Sequence, residues 1–169
     1  MEDCCKNNSI KINNKYFWIM GIVILLGTVS YFIIGSSSSV EALQNFDGDV
    51  IIYKSGSCGC CGVWTQYFNG KTKLDTKIVT QNDISDVKTN LGIPKELESC
   101  HTMKIGDYFV EGHIPVEAIN KLIEEQPDIA GIAMPGMPNG SPGMPGTKNG
   151  DFIIYSVNHD GSYQEFMRI

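Results

Sequence analysis

Hydrophobic positions along this chain fall into three regimes. From Tyr16 to Ile34 the residues are almost continuously apolar, interrupted only by Gly21, Gly27, Thr28 and Ser30, with no charge. From Val50 to Pro127, short apolar runs alternate with helical spacings. From Ala133 to Gly150 the chain is too rich in proline and glycine for helix or sheet, and two further strand-like runs close the sequence.

The first regime predicts a membrane-spanning helix over residues 16–34. At a rise of about 1.5 Å per residue its length is about 28 Å, close to the hydrocarbon thickness, whereas the apolar part of a cleaved signal peptide is usually about 7–15 residues. The favoured expectation is a retained anchor or uncleaved signal. Val40-Glu41-Ala42 keeps cleavage open, because it has the small-residue spacing a signal peptidase tolerates just beyond Ser36 to Ser39. Lys6, Lys11 and Lys15 precede the span and no Lys or Arg follows it until Lys54. That asymmetry predicts a cytoplasmic tail over 1–15 and an exported remainder at the cytoplasmic membrane, or a secreted periplasmic domain if the segment is cut.

In the second regime, Val50-Ile51-Ile52-Tyr53 reads as a strand buried on both faces. Val63-Trp64 and Tyr67-Phe68 recur at helical spacing up to Asn69-Gly70. Lys77 to Thr80 predicts a second strand, and Asp83 an N-cap for a helix carrying Ile84, Val87 and Leu91 that stops before Pro94. Thr102–Ile105 and Tyr108–Glu111 flank Gly106-Asp107, a two-residue hairpin turn. Pro115 opens a helix with Ile119, Leu122 and Ile123 as its apolar stripe and Glu117 in its first turn. Phe152–Val157 and Ser162–Met167 predict a terminal hairpin. The order βαβα, hairpin, helix is that of an α/β, thioredoxin-like domain with an extra C-terminal hairpin. It is expected over residues 49–169, after a linker over 35–48.

Charge narrows the partners. Residues 36–169 hold ten Lys plus Arg against seventeen Asp plus Glu, a net charge of −7, so nucleic acid is not expected.

The chemistry concentrates in Ser57-Cys58-Gly59-Cys60-Cys61-Gly62, where the first strand gives way to the first helix of the domain. Backbone N–H groups and the positive end of a helix dipole at such a turn favour thiolates, the form needed for metal ligation or redox attack. Three sulfurs this crowded make a poor disulfide staple, since only Cys58 with Cys61 closes without strain. Further soft donors lie downstream: Cys100, His101 and His113, then Met134, Met137 and Met144. A thioredoxin-like topology places Cys100-His101 opposite the cysteine turn. The Cys58-x-x-Cys61 spacing leaves thiol–disulfide exchange as an alternative. His101 and His113 are either ligands or ordinary capping or surface histidines, and the three methionines either a thioether lip or packing under a long loop. His159 is expected in a solvated turn, and Trp64 and Tyr67 in the helix core. Cys4 and Cys5 precede the span and would face a reducing compartment as free thiols, with lipid attachment or metal capture as the alternative.

Four ordered segments carry a family resemblance: Tyr53 to Trp64, Leu91 to Thr102, Val110 to Pro115, and Met134 to Met144. Together they resemble the CopG-like family of bacterial copper-resistance proteins over roughly Val50 to Ile169. The resemblance implies an exported thioredoxin-like fold holding a multinuclear copper cluster on cysteine thiolates. Carried over by position, its ligands are Cys58, Cys60, Cys61 and Cys100, with a role in handling or redox-cycling copper as a possible copper-dependent oxidoreductase. A copper exporter or a redox partner would be its associates. Cu(I) is soft, accepts two or three ligands and can share a bridging thiolate, so this donor set suits it. A mononuclear zinc site is the less favoured metal reading, since three crowded sulfurs suit tetrahedral zinc poorly. Passive copper storage or chaperoning is a further alternative.

Overall fold

The computed structural model describes residues 40–169, which contain a mixed α/β domain built on one seven-stranded sheet. The expected span over 16–34, and Cys4 and Cys5, lie outside the described residues. Among the described residues no helix is long and apolar enough to cross a membrane.

The elements are α1 (Glu41–Gln44), β1 (Val50–Ser55), α2 (Gly59–Thr72), β2 (Lys77–Gln81), α3 (Ser85–Asn90), β3 (His101–Ile105), β4 (Tyr108–Glu111), α4 (Val116–Glu125), β5 (Gly131–Ala133), β6 (Ile153–Val157) and β7 (Tyr163–Arg168), with a 3-10 turn at Lys95–Leu97. The sheet order is β2-β1-β3-β4-β5-β6-β7. β1 runs parallel to β2 and antiparallel to β3, β3 and β4 form the expected hairpin, and β6 and β7 form the terminal one.

Alternation along the strands sorts the core into two faces. Val110 and Ile132 join Ile52, Trp64, Phe68, Ile119 and Leu122 in the larger cluster, under α1, α2 and α4. Their neighbours Phe109 and Ala133 join Ile93 and Leu97 in the smaller one, against the segment that follows α3. Trp64 and Phe68, one turn apart on α2, stack with centroids 5.5 Å apart, and both are fully buried. Trp64 Nε1 donates to the Ile114 carbonyl at 3.1 Å, which ties α2 to the start of α4.

Several sequence expectations change. The linker over 35–48 is not linker throughout: Leu43 on α1 is fully buried, and its N–H donates to Asn120 Oδ1 on α4 at 3.1 Å. An apolar side chain that can join the larger core cluster gains more by burial than by staying in solvent. Asp83 does not cap α3 directly. Its carboxylate accepts from the Ser85 N–H and hydroxyl in a turn, and the helix starts at Ser85. β1 is buried alternately rather than on both faces, with Ile52 inside and Ile51 half-buried. The strand β5 has no counterpart in the pattern reading. It is three residues long and forms by pairing parallel to β4, where a Cβ on Gly131 would lie 2.3 Å from the Phe109 carbonyl oxygen.

Candidate metal centre

The site lies where β1 ends and β3 begins. The antiparallel register sets Lys54 opposite His101, so the turn leaving β1 and the residue entering β3 share one end of the sheet. Cys58 is the residue before α2, Cys60 and Cys61 occupy its first turn, and Cys100 immediately precedes β3. Their four sulfur positions lie within 4.8 Å of one another. Cys61 is fully buried, while Cys60 and Cys100 are half-buried. Cys58 and Cys61 are joined as a disulfide, and Cys60 and Cys100 are free thiols. Cys58 Sγ stands 3.5 Å from Cys60 Sγ, so the bond and a free thiol are in contact.

Two imidazoles complete the group. His113 follows β4, and its Nε2 lies 3.0 Å from Cys100 Sγ. Its Nδ1 is 2.7 Å from the Pro142 carbonyl. A carbonyl only accepts, so Nδ1 carries the proton and the Nε2 lone pair faces the sulfur. His101 Nδ1 lies 3.4 Å from the same sulfur, and its Nε2 is buried without a hydrogen-bond partner. The His101 ring packs 4.5 Å from Trp64 and 4.9 Å, edge on, from His113. Cys100, His101 and His113 thus form a second donor group that shares Cys100 with the four sulfurs.

Burial dominates the electrostatics. It pushes the Cys100 thiol up to about 12, with the neighbouring Cys60 adding to the rise. It holds His101 down at about 3, reinforced by His113 and Lys88, and it lowers His113 against the opposing pull of the Pro142 carbonyl. Both rings are therefore neutral at pH 7, which is the form that ligates metal. Soft sulfurs and neutral imidazoles in one partly shielded corner, one ring nitrogen having no protein partner, fit a soft or borderline cation.

The proline- and glycine-rich loop closes over this corner. Gly143 has φ +81°, and a Cβ there would lie 2.7 Å from the Trp64 nitrogen and 3.0 Å from the Cys60 carbonyl oxygen. Only glycine lets the loop rest on the first turn of α2. The three candidate methionines separate: Met134 packs in the larger core cluster, Met144 is half-buried in the loop, and Met137 is 51% exposed. His159 is exposed and 3.2 Å from Asp128, away from the cysteines in its hairpin turn. Trp64 is core, and Tyr67 is partly buried, its hydroxyl accepting from the Val116 N–H.

Sequence reasoning missed the support beneath Cys100. Glu111 and Lys88, both buried, form an ion pair that also engages Thr102 and Ser99. The signal was there in Tyr108-Phe109-Val110-Glu111, an acidic residue ending an apolar strand. Its lysine partner sits on a different element, and spacing could not connect them.

Known proteins place this geometry. The sequence pattern of a family described as "Protein of unknown function, DUF411" matches residues 97–144, which include Cys100, His101, His113 and the loop. No curated protein matches the chain. A solved structure named "Copper resistance protein copG- Form 2" is 33% identical, with a TM-score of 0.66, and the match covers 72% of this chain and 98% of that one. A second, "Copper resistance protein copG- Form 1", is also 33% identical, with a TM-score of 0.62 over 72% of this chain and 96% of that one. At that identity over nearly the whole of both relatives, the chain belongs to the CopG-like family of copper-resistance proteins.

Proposed function

We propose that this protein binds Cu(I) in a multinuclear thiolate cluster on Cys58, Cys60, Cys61 and Cys100, with His101 and His113 as nitrogen donors, and serves copper resistance. The observation that carries this reading is the convergence, within 4.8 Å, of sulfurs from two segments far apart in sequence. Strand order β2-β1-β3-β4, with α2 and α3 after β1 and β2 and α4 after the hairpin, supports a thioredoxin-like frame to which β5, β6 and β7 are added. The apolar stretch 16–34 and its lysine-rich N-terminal flank support anchoring in the cytoplasmic membrane with the domain outside.

The Cys58–Cys61 disulfide gives the copper reading a redox side. Two electrons and two protons open it to the dithiol that a four-thiolate site needs. In the reverse sense, two Cu(II) ions taking one electron each from that dithiol yield two Cu(I), the disulfide and two protons. Metal content of the reduced full chain, titrated anaerobically with Cu(I) and separately with zinc, tests the proposal. More than one copper retained per chain, lost in Cys60→Ser, supports it; no retained copper overturns it.

The same disulfide favours a second reading, thiol–disulfide oxidoreductase. That reading needs Cys58 and Cys61 only. Disulfide reductase activity that persists in Cys60→Ser, with copper binding absent in the parent chain, would establish it.

A further inference from the structure

We propose that Glu111, held by Lys88, is a positioning residue that aims Cys100 at the other sulfurs; the proposal rests on the cluster reading above. Glu111 ends β4 and is fully buried, and Lys88 on α3 is 4% exposed. Glu111 Oε1 accepts the Ser99 N–H at 2.6 Å and pairs with Lys88 Nζ. Its Oε2 accepts the Thr102 hydroxyl, whose oxygen in turn accepts from Lys88 Nζ at 3.0 Å. Three donors and no acceptor converge on the carboxyl, the pattern of an ionised acceptor.

Ser99 and Thr102 bracket Cys100-His101. One carboxylate therefore holds the main chain just before the sulfur-bearing residue, through the Ser99 N–H, and a side chain just after it, through the Thr102 hydroxyl. The main chain adds to the grip: the His101 carbonyl accepts the Gly112 N–H at 3.0 Å, and the Glu111 carbonyl accepts the Met134 N–H at 3.0 Å. Stability alone does not account for this arrangement, since replacing a buried ion pair with well-packed apolar side chains is often neutral or stabilising. What an apolar pair could not supply is two directed hydrogen bonds to the segment on either side of Cys100. Glu111→Gln keeps the volume but turns an amide donor toward a group that is itself a donor, so one arm of the grip opens.

The test compares Cu(I) affinity, by competition with a chromophoric chelator, among the wild-type chain, Glu111→Gln, Cys100→Ser and the double variant, all reduced and anaerobic. The expected result is a loss of about 10–100-fold in Glu111→Gln, as for other groups that orient metal ligands, with no further loss when it is added to Cys100→Ser. A merely structural role would weaken both backgrounds equally, and that outcome overturns the proposal. The Lys88→Met/Glu111→Leu pair, apolar and matched in size, covers the case in which Glu111→Gln fails to fold; wild-type affinity in that folded variant also overturns it. Alkylation of Cys100, followed by mass spectrometry without copper, is the independent readout. Severalfold faster labelling at Cys100, with Cys60 unchanged, is expected in the folded variants. An unchanged Cys100 rate overturns the proposal, whereas failure of the parent chain to bind copper counts against the cluster reading alone.

Discussion

Lys54 and His101 face each other across the β1–β3 ladder. That single register pair brings Cys100 to the turn that carries Cys58, Cys60 and Cys61, since one chain leaves the ladder there and the other enters it. A slip of one residue would turn the His101 side chain to the opposite face of the sheet and move Cys100 off the corner.

Cys60 is the position that separates copper chemistry from disulfide chemistry. If the proposed copper cluster forms, Cys60→Ser should lose it while keeping a Cys58–Cys61 disulfide that reforms on air oxidation. Copper-to-protein ratio and a free-thiol count on the same sample check it, and unchanged copper loading would remove Cys60 from the ligand set.

Copper loading should release protons. Because the Cys100 thiol is pushed up to about 12, it is protonated in the metal-free protein at neutral pH. Each copper–thiolate bond formed there displaces a proton, so apparent Cu(I) affinity should rise up to about tenfold per pH unit for each proton released. Competition titrations at pH 6, 7 and 8 measure the slope. Cys100→Ser should flatten it by one proton.

Acid should destabilise the metal-free domain through its buried histidines. His101 is held at about 3, and an unfolded histidine titrates near ~6.5, so between these values the unfolded chain takes up a proton that the folded chain refuses. This contribution is complete above about pH 6.5 and is lost as pH falls toward 3, with a slope approaching about 1.4 kcal/mol per pH unit for each such histidine. Burial raises the Glu111 carboxyl, which contributes with the opposite sign, so the difference between wild type and His101→Leu is the informative quantity. Denaturant unfolding at pH 5 and pH 7 should show a smaller pH dependence in the variant.

Gly143→Ala should cost about 1–3 kcal/mol from its left-handed backbone alone. The added Cβ also meets the α2 backbone, so the loop must lift. Since Pro142 fixes His113 through its carbonyl, thermal unfolding and copper affinity should fall together, and a variant with native values of both would show that the loop does not brace the site.

Much of the frame was legible locally. The cysteine turn after an apolar strand, the Gly106-Asp107 hairpin, the α4 stripe and the terminal hairpin are patterns of near neighbours, and the structure places each within a residue or two of the expected bounds. β5 was not legible, because three residues cannot show a period and their strand conformation comes from pairing with β4 on one side and β6 on the other. The methionines were ambiguous because thioethers serve both core and ligand roles; burial puts Met134 in the core and leaves Met137 outside.

By itself, then, the sequence determined most of the elements, α1 and β5 excepted, and which soft donors they carry, since strand, helix and turn preferences act over a few residues. The topology expected of those elements already set Cys100-His101 opposite the cysteine turn; the tertiary structure alone decided that His101 and His113 both reach Cys100, while Met134 goes to the core and Met137 stays outside. The β1–β3 register, the return of the loop through Gly143, the neutral buried imidazoles and the Lys88–Glu111 support under Cys100 all join residues distant along the chain. Contacts of that kind depend on packing and desolvation, which no local pattern encodes.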